Sequence, residues 1–226
     1  MYFRALELAG GAFVDPARSA AVLKRFIEVA RQCHEGQAID LSTRIDEVTP
    51  RQTRATALAI SRWKTGRLVS LAAWCGAHAA AGDPQTLRAV AAFGCRVGIC
   101  LQMKNDIDEL VELVDGADRC DDLRNRRVTW PWAWAAEHLA RDGFAALQRR
   151  LMDPRPDSLR SLATDLLGVT QEPAASAIRT RLQRARDVLV ATSGGGTGAC
   201  LADVAEILQV AMQPPSPQPT AVEATR

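Results

Sequence analysis

The sequence predicts an all-α fold, a bundle of long helices, on three observations. Apolar residues recur at helical spacing over long stretches rather than alternating. Three times a capping side chain precedes a proline at the head of such a stretch, at Asp15-Pro16, Thr49-Pro50 and Asp83-Pro84. Strand signals are sparse: alanine is abundant, Val-Ile-Thr alternation is rare, and no Asn-Gly hairpin turn occurs.

The elements follow in order. Asp15 opens a helix over 16–35, Thr49 one over 50–81 and Asp83 one over 84–114, with Gly82 expected to stop the second. Shorter helical runs are predicted at 131–141, 143–152, 157–168, 172–192 and 199–212. Asp153-Pro154-Arg155-Pro156 and Ser193-Gly194-Gly195-Gly196 read as turns between them. The glycine run follows a helix rather than a strand, so it is not read as a phosphate loop. One helical domain is expected over 1–212, and the proline-rich end QPPSPQPTAVEATR, 213–226, is expected to be disordered.

Composition limits the function classes. The 226 residues are 47% hydrophobic, enough for a real core. A net charge of +2, with arginines spread along the chain, argues against a dedicated nucleic-acid binder. Six cysteines without a CxxC pair, beside only three histidines, read as reduced thiols of a cytoplasmic protein and not as a zinc site. Charges interrupt every long apolar run, so no membrane span is expected.

QMKNDIDEL, residues 102–110, stands out because it places oxygen-bearing side chains inside an apolar helix. Gln102, Asn105 and Glu109 fall on one stripe, with Asp106 one step round. Their carboxylate and carboxamide oxygens suit a hard cation such as Mg2+. A solvated acidic face is the competing reading, since Asp108 and Glu112 adjoin. In GQAIDL, residues 36–41, Gln37 and Asp40 share a face; capping or solvation would explain them equally. Lys64 and Thr65 sit within an apolar helix, where the lysine either snorkels or neutralises a phosphate. DDLRNRRVTWPWAW, 121–134, puts Asp121, Asp122, Arg124, Arg126 and Arg127 before a new helix. Such a loop recognises diphosphate or simply pairs its own charges. Trp130, Trp132 and Trp134 alternate there; packing is the plain reading, contact with an apolar ligand chain or a membrane surface the other.

Taken together and in this order, these stretches resemble the trans-isoprenyl diphosphate synthase (polyprenyl synthetase) family. GQAIDL resembles its GQxxD element, Lys64-Thr65 its helical KT pair, QMKNDIDEL its second aspartate-rich motif QxxDDxxD, and DLRNRRVTWP its D-x4-K-x-T-x-P loop. The resemblance implies the all-α class I isoprenoid synthase fold and a Mg2+-dependent joining of allylic diphosphates to isopentenyl diphosphate. It implies Lys64 and Asp106 as catalytic residues. Gln37, Lys64, Thr65, Gln102, Arg126 and Arg127 would line the prenyl diphosphate site. Asp40, Asn105, Asp106 and Glu109 would serve the metal, and Asp122 would act from behind them. A homodimer is implied, or a heterodimer with a catalytic prenyl synthase.

The sequence departs from the family in three places. Asn105 and Glu109 stand where aspartates are usual. The asparagine resembles the metal motif of class I terpene cyclases, but Leu113 stands where that motif ends in glutamate. Arg127 replaces the loop lysine, and no lysine precedes Asp122, where Arg119 could substitute. The first aspartate-rich motif, DDxxD, is not found; MYFRALELAGG resembles the helix that follows it. Three expectations follow: a catalytic prenyl synthase or class I terpene cyclase lacking its N-terminal helices, a non-catalytic subunit that tunes a partner, or an unrelated helical scaffold in which the four stretches are fortuitous.

Overall fold

The computed structural model describes residues 2–117 and 120–192. Its helices are α1 (Tyr2–Gly10), α2 (Pro16–Ser42), α3 (Pro50–Ile60), α4 (Arg67–Ala79), α5 (Pro84–Val114), α6 (Asp121–Arg124), α7 (Trp130–His138), α8 (Arg141–Arg150) and α9 (Pro156–Thr192). A 3-10 turn, Ile45–Glu47, follows α2, and a π-helical segment, Ser61–Gly66, joins α3 to α4. Among the described residues no strand forms; one antiparallel bridge links Arg44 to Arg127. The all-α expectation therefore holds.

The predicted caps work as such. Asp15 accepts from the Ala17 N–H at 2.9 Å. Asp83 accepts from the N–H groups of Gln85 and Thr86 at 2.7 and 3.0 Å. Gln52 reaches back to the Thr49 N–H at 3.0 Å. Each satisfies donors that the first helical turn leaves free.

Besides the π-helical segment that interrupts the helix expected over 50–81, three features differ from the sequence reading. α2 runs on to Ser42, so GQAIDL lies within a helix. The two helices expected over 157–168 and 172–192 are one, because Pro173 is accommodated inside α9. The missing proline N–H costs one helical bond, and packing along α5 and α7 offsets it. Finally, the residue in left-handed conformation after α4 is Ala81 (φ 55°) and not Gly82. Ala81 N–H donates to His78 O and Gly82 N–H to Ala77 O, the paired bonds of a Schellman ending. The helix expected over 199–212, the Ser193–Gly196 turn, the 213–226 tail and Arg119 lie outside the described residues.

α5 is the axis of the bundle, packing along α9, α4 and the π-helical segment. Its length and apolar composition would let it cross a membrane, yet 56% of its most apolar window is buried against other helices. Its approach to the π-helical segment is very close: a Cβ on Gly98 would stand 2.7 Å from Gly66 Cα. Backbones can meet there only because both residues lack side chains. The core continues into α7, where Trp130, Trp132 and Trp134 are all buried, which settles their alternation as packing.

Candidate active site

The site is assembled from four elements. α2 supplies Gln37 and Asp40, the π-helical segment Lys64 and Thr65, α5 Gln102, Asp106 and Glu109, and α6 Asp122. The wider turn of the π-helical segment, where Arg67 N–H reaches back to Arg62 O, sets the direction of Lys64 and Thr65.

A chain of hydrogen bonds runs across these elements. The Thr65 hydroxyl donates to Gln102 Oε1 at 2.7 Å, and Gln102 Nε2 donates to Asp106 Oδ1 at 2.8 Å. The other Asp106 oxygen accepts the Trp130 main-chain N–H at 2.9 Å. Trp130 is held in turn by its indole N–H, which donates to Ser61 Oγ at 2.7 Å. Lys64 Nζ pairs with Asp40 Oδ2 at 2.8 Å. The Asp122 N–H donates to Glu109 Oε1 at 2.8 Å.

Negative charge accumulates in this space. Burial pushes the Asp106 carboxyl up to about 8, and the Asp122 carboxyl beside it adds to the rise. Burial also raises Asp122, reinforced by Glu109 and Asp40, while Lys64 opposes the rise. Carboxylates crowded this way around one ammonium call for further positive charge. Among the described residues, no three His, Cys, Asp or Glu side chains converge into a preformed cage. The donor set is nevertheless all oxygen. Oxygen donors of this kind suit a hard divalent cation that keeps several waters. Asp106, Glu109, Asp122 and Asp40 are the groups that would hold it.

The expected residues divide into two sets. Asp40, Lys64, Thr65, Gln102, Asp106 and Glu109 are linked with Asp122 by hydrogen bonds or charge, while Gln37 stands on the wall of an apolar cavity beside Lys64. Asn105 is exposed on the flank of α5, because at about 100° per residue it lies across the stripe from Asp106. The two loop arginines are engaged elsewhere. Arg126 pairs with Asp46 at 2.9 Å, and Arg127 donates to the Asp40 main-chain oxygen at 2.7 Å. They pin the α6–α7 loop to the end of α2, together with the Ile45 N–H bond to Arg126 O at 2.8 Å.

Asp122 stands closer to the cluster than its sequence placement implied. Its signal was the spacing to Arg127, Thr129 and Pro131. The Trp130 N–H and Ser61 carry no such signal. A cavity of about 470 Å³ adjoins the cluster, with Gln37 and Lys64 on its wall and Phe26, Val29, Leu68 and Leu71 behind them.

Known proteins show the same arrangement of helices. A decaprenyl diphosphate synthase from Rhodobacter capsulatus is similar at a TM-score of 0.71 and 21% identity, over 85% of this chain and 60% of that one. A geranylgeranyl pyrophosphate synthetase from Pyrococcus horikoshii is similar at 0.71 and 22%, over 92% and 64%. A geranylgeranyl pyrophosphate synthase from Corynebacterium glutamicum, complexed with calcium and isoprenyl diphosphate, gives 0.65 and 22%, over 85% and 60%. The chain thus spans about three fifths of the length of these structures. No curated protein matches the sequence. The Polyprenyl synthetase family model matches residues 1–162. With that match over most of its length, and the class I isoprenoid synthase fold around its carboxylate cluster, this chain belongs to the polyprenyl synthetase family.

Proposed function

We propose that the chain is part of a Mg2+-dependent prenyltransferase that condenses an allylic prenyl diphosphate with isopentenyl diphosphate. One observation carries the reading: Lys64 pairs with Asp40 and acts electrostatically on Asp106 and Asp122, Glu109 adjoins Asp122, and Lys64 also stands on the wall of an apolar cavity of about 470 Å³. A prenyl diphosphate has this polarity, an anionic head and an apolar tail. Mg2+ bound there would neutralise the diphosphate and help it depart as a leaving group. Lys64 would contact the diphosphate oxygens, giving up part of its bond to Asp40. Gln102 and Thr65 would orient Asp106. Gln37 would line the junction of head and tail, and Asn105 would offer its amide oxygen at the edge. Arg126 and Arg127 would hold the loop that carries Asp122, adding positive potential near the diphosphate.

A second reading is a non-catalytic subunit that binds substrate and adjusts a catalytic partner. The replacement of an aspartate by the uncharged, exposed Asn105 favours it. In either case we assign the protein to the cytoplasm, in keeping with its free thiols, and to a dimer, with itself or with a catalytic prenyl synthase.

The test is calorimetric titration of the full chain with geranylgeranyl diphosphate, with and without Mg2+. Binding should require Mg2+ and weaken by about tenfold or more in Asp106→Ala and Lys64→Ala. Equal binding in chelator, untouched by both substitutions, would end the proposal. Incorporation of labelled isopentenyl diphosphate by the chain alone selects the catalytic reading. A changed product only in mixture with a partner synthase selects the other. The intact mass from native cells, compared with 24.5 kDa, shows which chain the cell makes.

A further inference from the structure

A different cavity, of about 760 Å³, opens where α3, α5, α7 and α9 meet. Four arginines line it: Arg54 from α3, Arg96 from α5, and Arg181 and Arg184 from α9. Arg54 is paired with Glu137. Asp187 is the other acid on the wall, and its carboxylate accepts from Gln183 at 2.9 Å. Positive charge therefore exceeds negative charge within one concave space.

Arg181 forms the floor. Its guanidinium lies over the Trp130 ring, 6.0 Å from the centroid. Its Nε is buried and has no hydrogen-bond partner. A buried donor without an acceptor is costly, and such a group commonly marks the place of a bound ligand or ion. The neighbouring guanidinia of Arg54, Arg96 and Arg184 add to its burial in disfavouring its charge. A protein that gathers like charges around an orphaned donor gains stability from any anion that satisfies them. Ser176 and Thr180, one helical turn apart on α9, add hydroxyl donors to the same wall.

We propose that this cavity is a second anion site, distinct from the carboxylate cluster, that takes a small polyphosphate of the inorganic diphosphate class. Charge sets the class. With Arg54 offset by Glu137, three guanidinia face one carboxylate, which suits a multivalent anion better than a monovalent one. Guanidinium forks also match the paired oxygens of linked phosphates. The two sites meet at Trp130: Arg181 covers its ring while its main-chain N–H holds Asp106.

The two sites differ in their need for metal, and the experiment exploits that. The carboxylate cluster repels diphosphate unless a cation intervenes; the arginine cavity does not. Full-length protein in chelator is titrated with inorganic diphosphate and, separately, with orthophosphate at matched ionic strength. Saturable diphosphate binding is expected, with orthophosphate about tenfold weaker. Arg181→Gln and Arg184→Gln should each weaken diphosphate by about tenfold, and Lys64→Ala should leave it unchanged. Arg184 is exposed, so its variant tests the site even if replacing Arg181 disturbs the Trp130 contact. Three results would each overturn the proposal. They are no saturable binding, equal affinity for orthophosphate, and binding that survives Arg184→Gln yet falls in Lys64→Ala.

Discussion

Gly36 and Lys64 meet backbone to backbone: a Cβ on Gly36 would stand 2.7 Å from the Lys64 nitrogen and 2.7 Å from Trp63 Cβ. The contact lets α2 lie against the π-helical segment, closely enough for Asp40, one turn on, to pair with Lys64. Gly36→Ala should therefore separate the two elements. Overpacking of this kind costs about 1–3 kcal/mol, read as a lower urea midpoint. Gly168→Ala is the control. Nothing lies within 4 Å of a Cβ there, so alanine should stabilise α9 by about 0.5–1 kcal/mol. Equal effects at the two positions would refute the close contact.

Much of this architecture could be read from residues, and what could not has physical causes. Asp15, Thr49 and Asp83 announce α2, α3 and α5 because capping chemistry is local. The division expected between 168 and 172 does not occur, because tertiary packing outweighs the one helical bond that Pro173 loses. The π-helical segment is silent, since one extra residue in a turn leaves no periodic mark. In the site, Gln102, Asp106 and Glu109 follow helical spacing and were legible. The Trp130 main-chain donor was not, because every residue except proline carries an N–H. Arg126 and Arg127 promised a diphosphate clamp. Whether such a loop points at a ligand or at its own helices depends on tertiary placement, here beside Asp46 and the end of α2.

Ser61 links the π-helical segment to α7. It is buried, accepts the Trp130 indole N–H at 2.7 Å and donates to Ala57 O at 2.8 Å. Ser61→Ala leaves the indole donor orphaned in the core. The expected loss is about 1–3 kcal/mol in denaturant unfolding. A variant as stable as the parent would show that the indole finds another acceptor.

Ala81 holds a left-handed conformation that suits glycine better. It is exposed, and both Schellman bonds are made by main chain. Ala81→Gly should therefore raise stability by about 1 kcal/mol without altering a contact. Thermal unfolding reads this as a rise of a few degrees; a fall would mean that the left-handed turn does not form.

Asp106 makes metal-free stability fall as pH rises. Its folded-state value of about 8 lies above the ordinary carboxylate value of 3.8. Below pH 4 both states hold the proton, and the group does not penalise folding. Between pH 4 and 8 the unfolded chain releases its proton while the folded one retains it, so stability declines across that window and levels off above it. Asp106→Asn removes this dependence. The parent should lose roughly 2–4 kcal/mol relative to the variant between pH 4.5 and 8, measured by urea unfolding in chelator. Adding Mg2+ at pH 8 should restore part of the loss in the parent and none in the variant, because a cation then replaces the proton. Parallel pH profiles for the two proteins would mean that Asp106 is better hydrated than its burial implies.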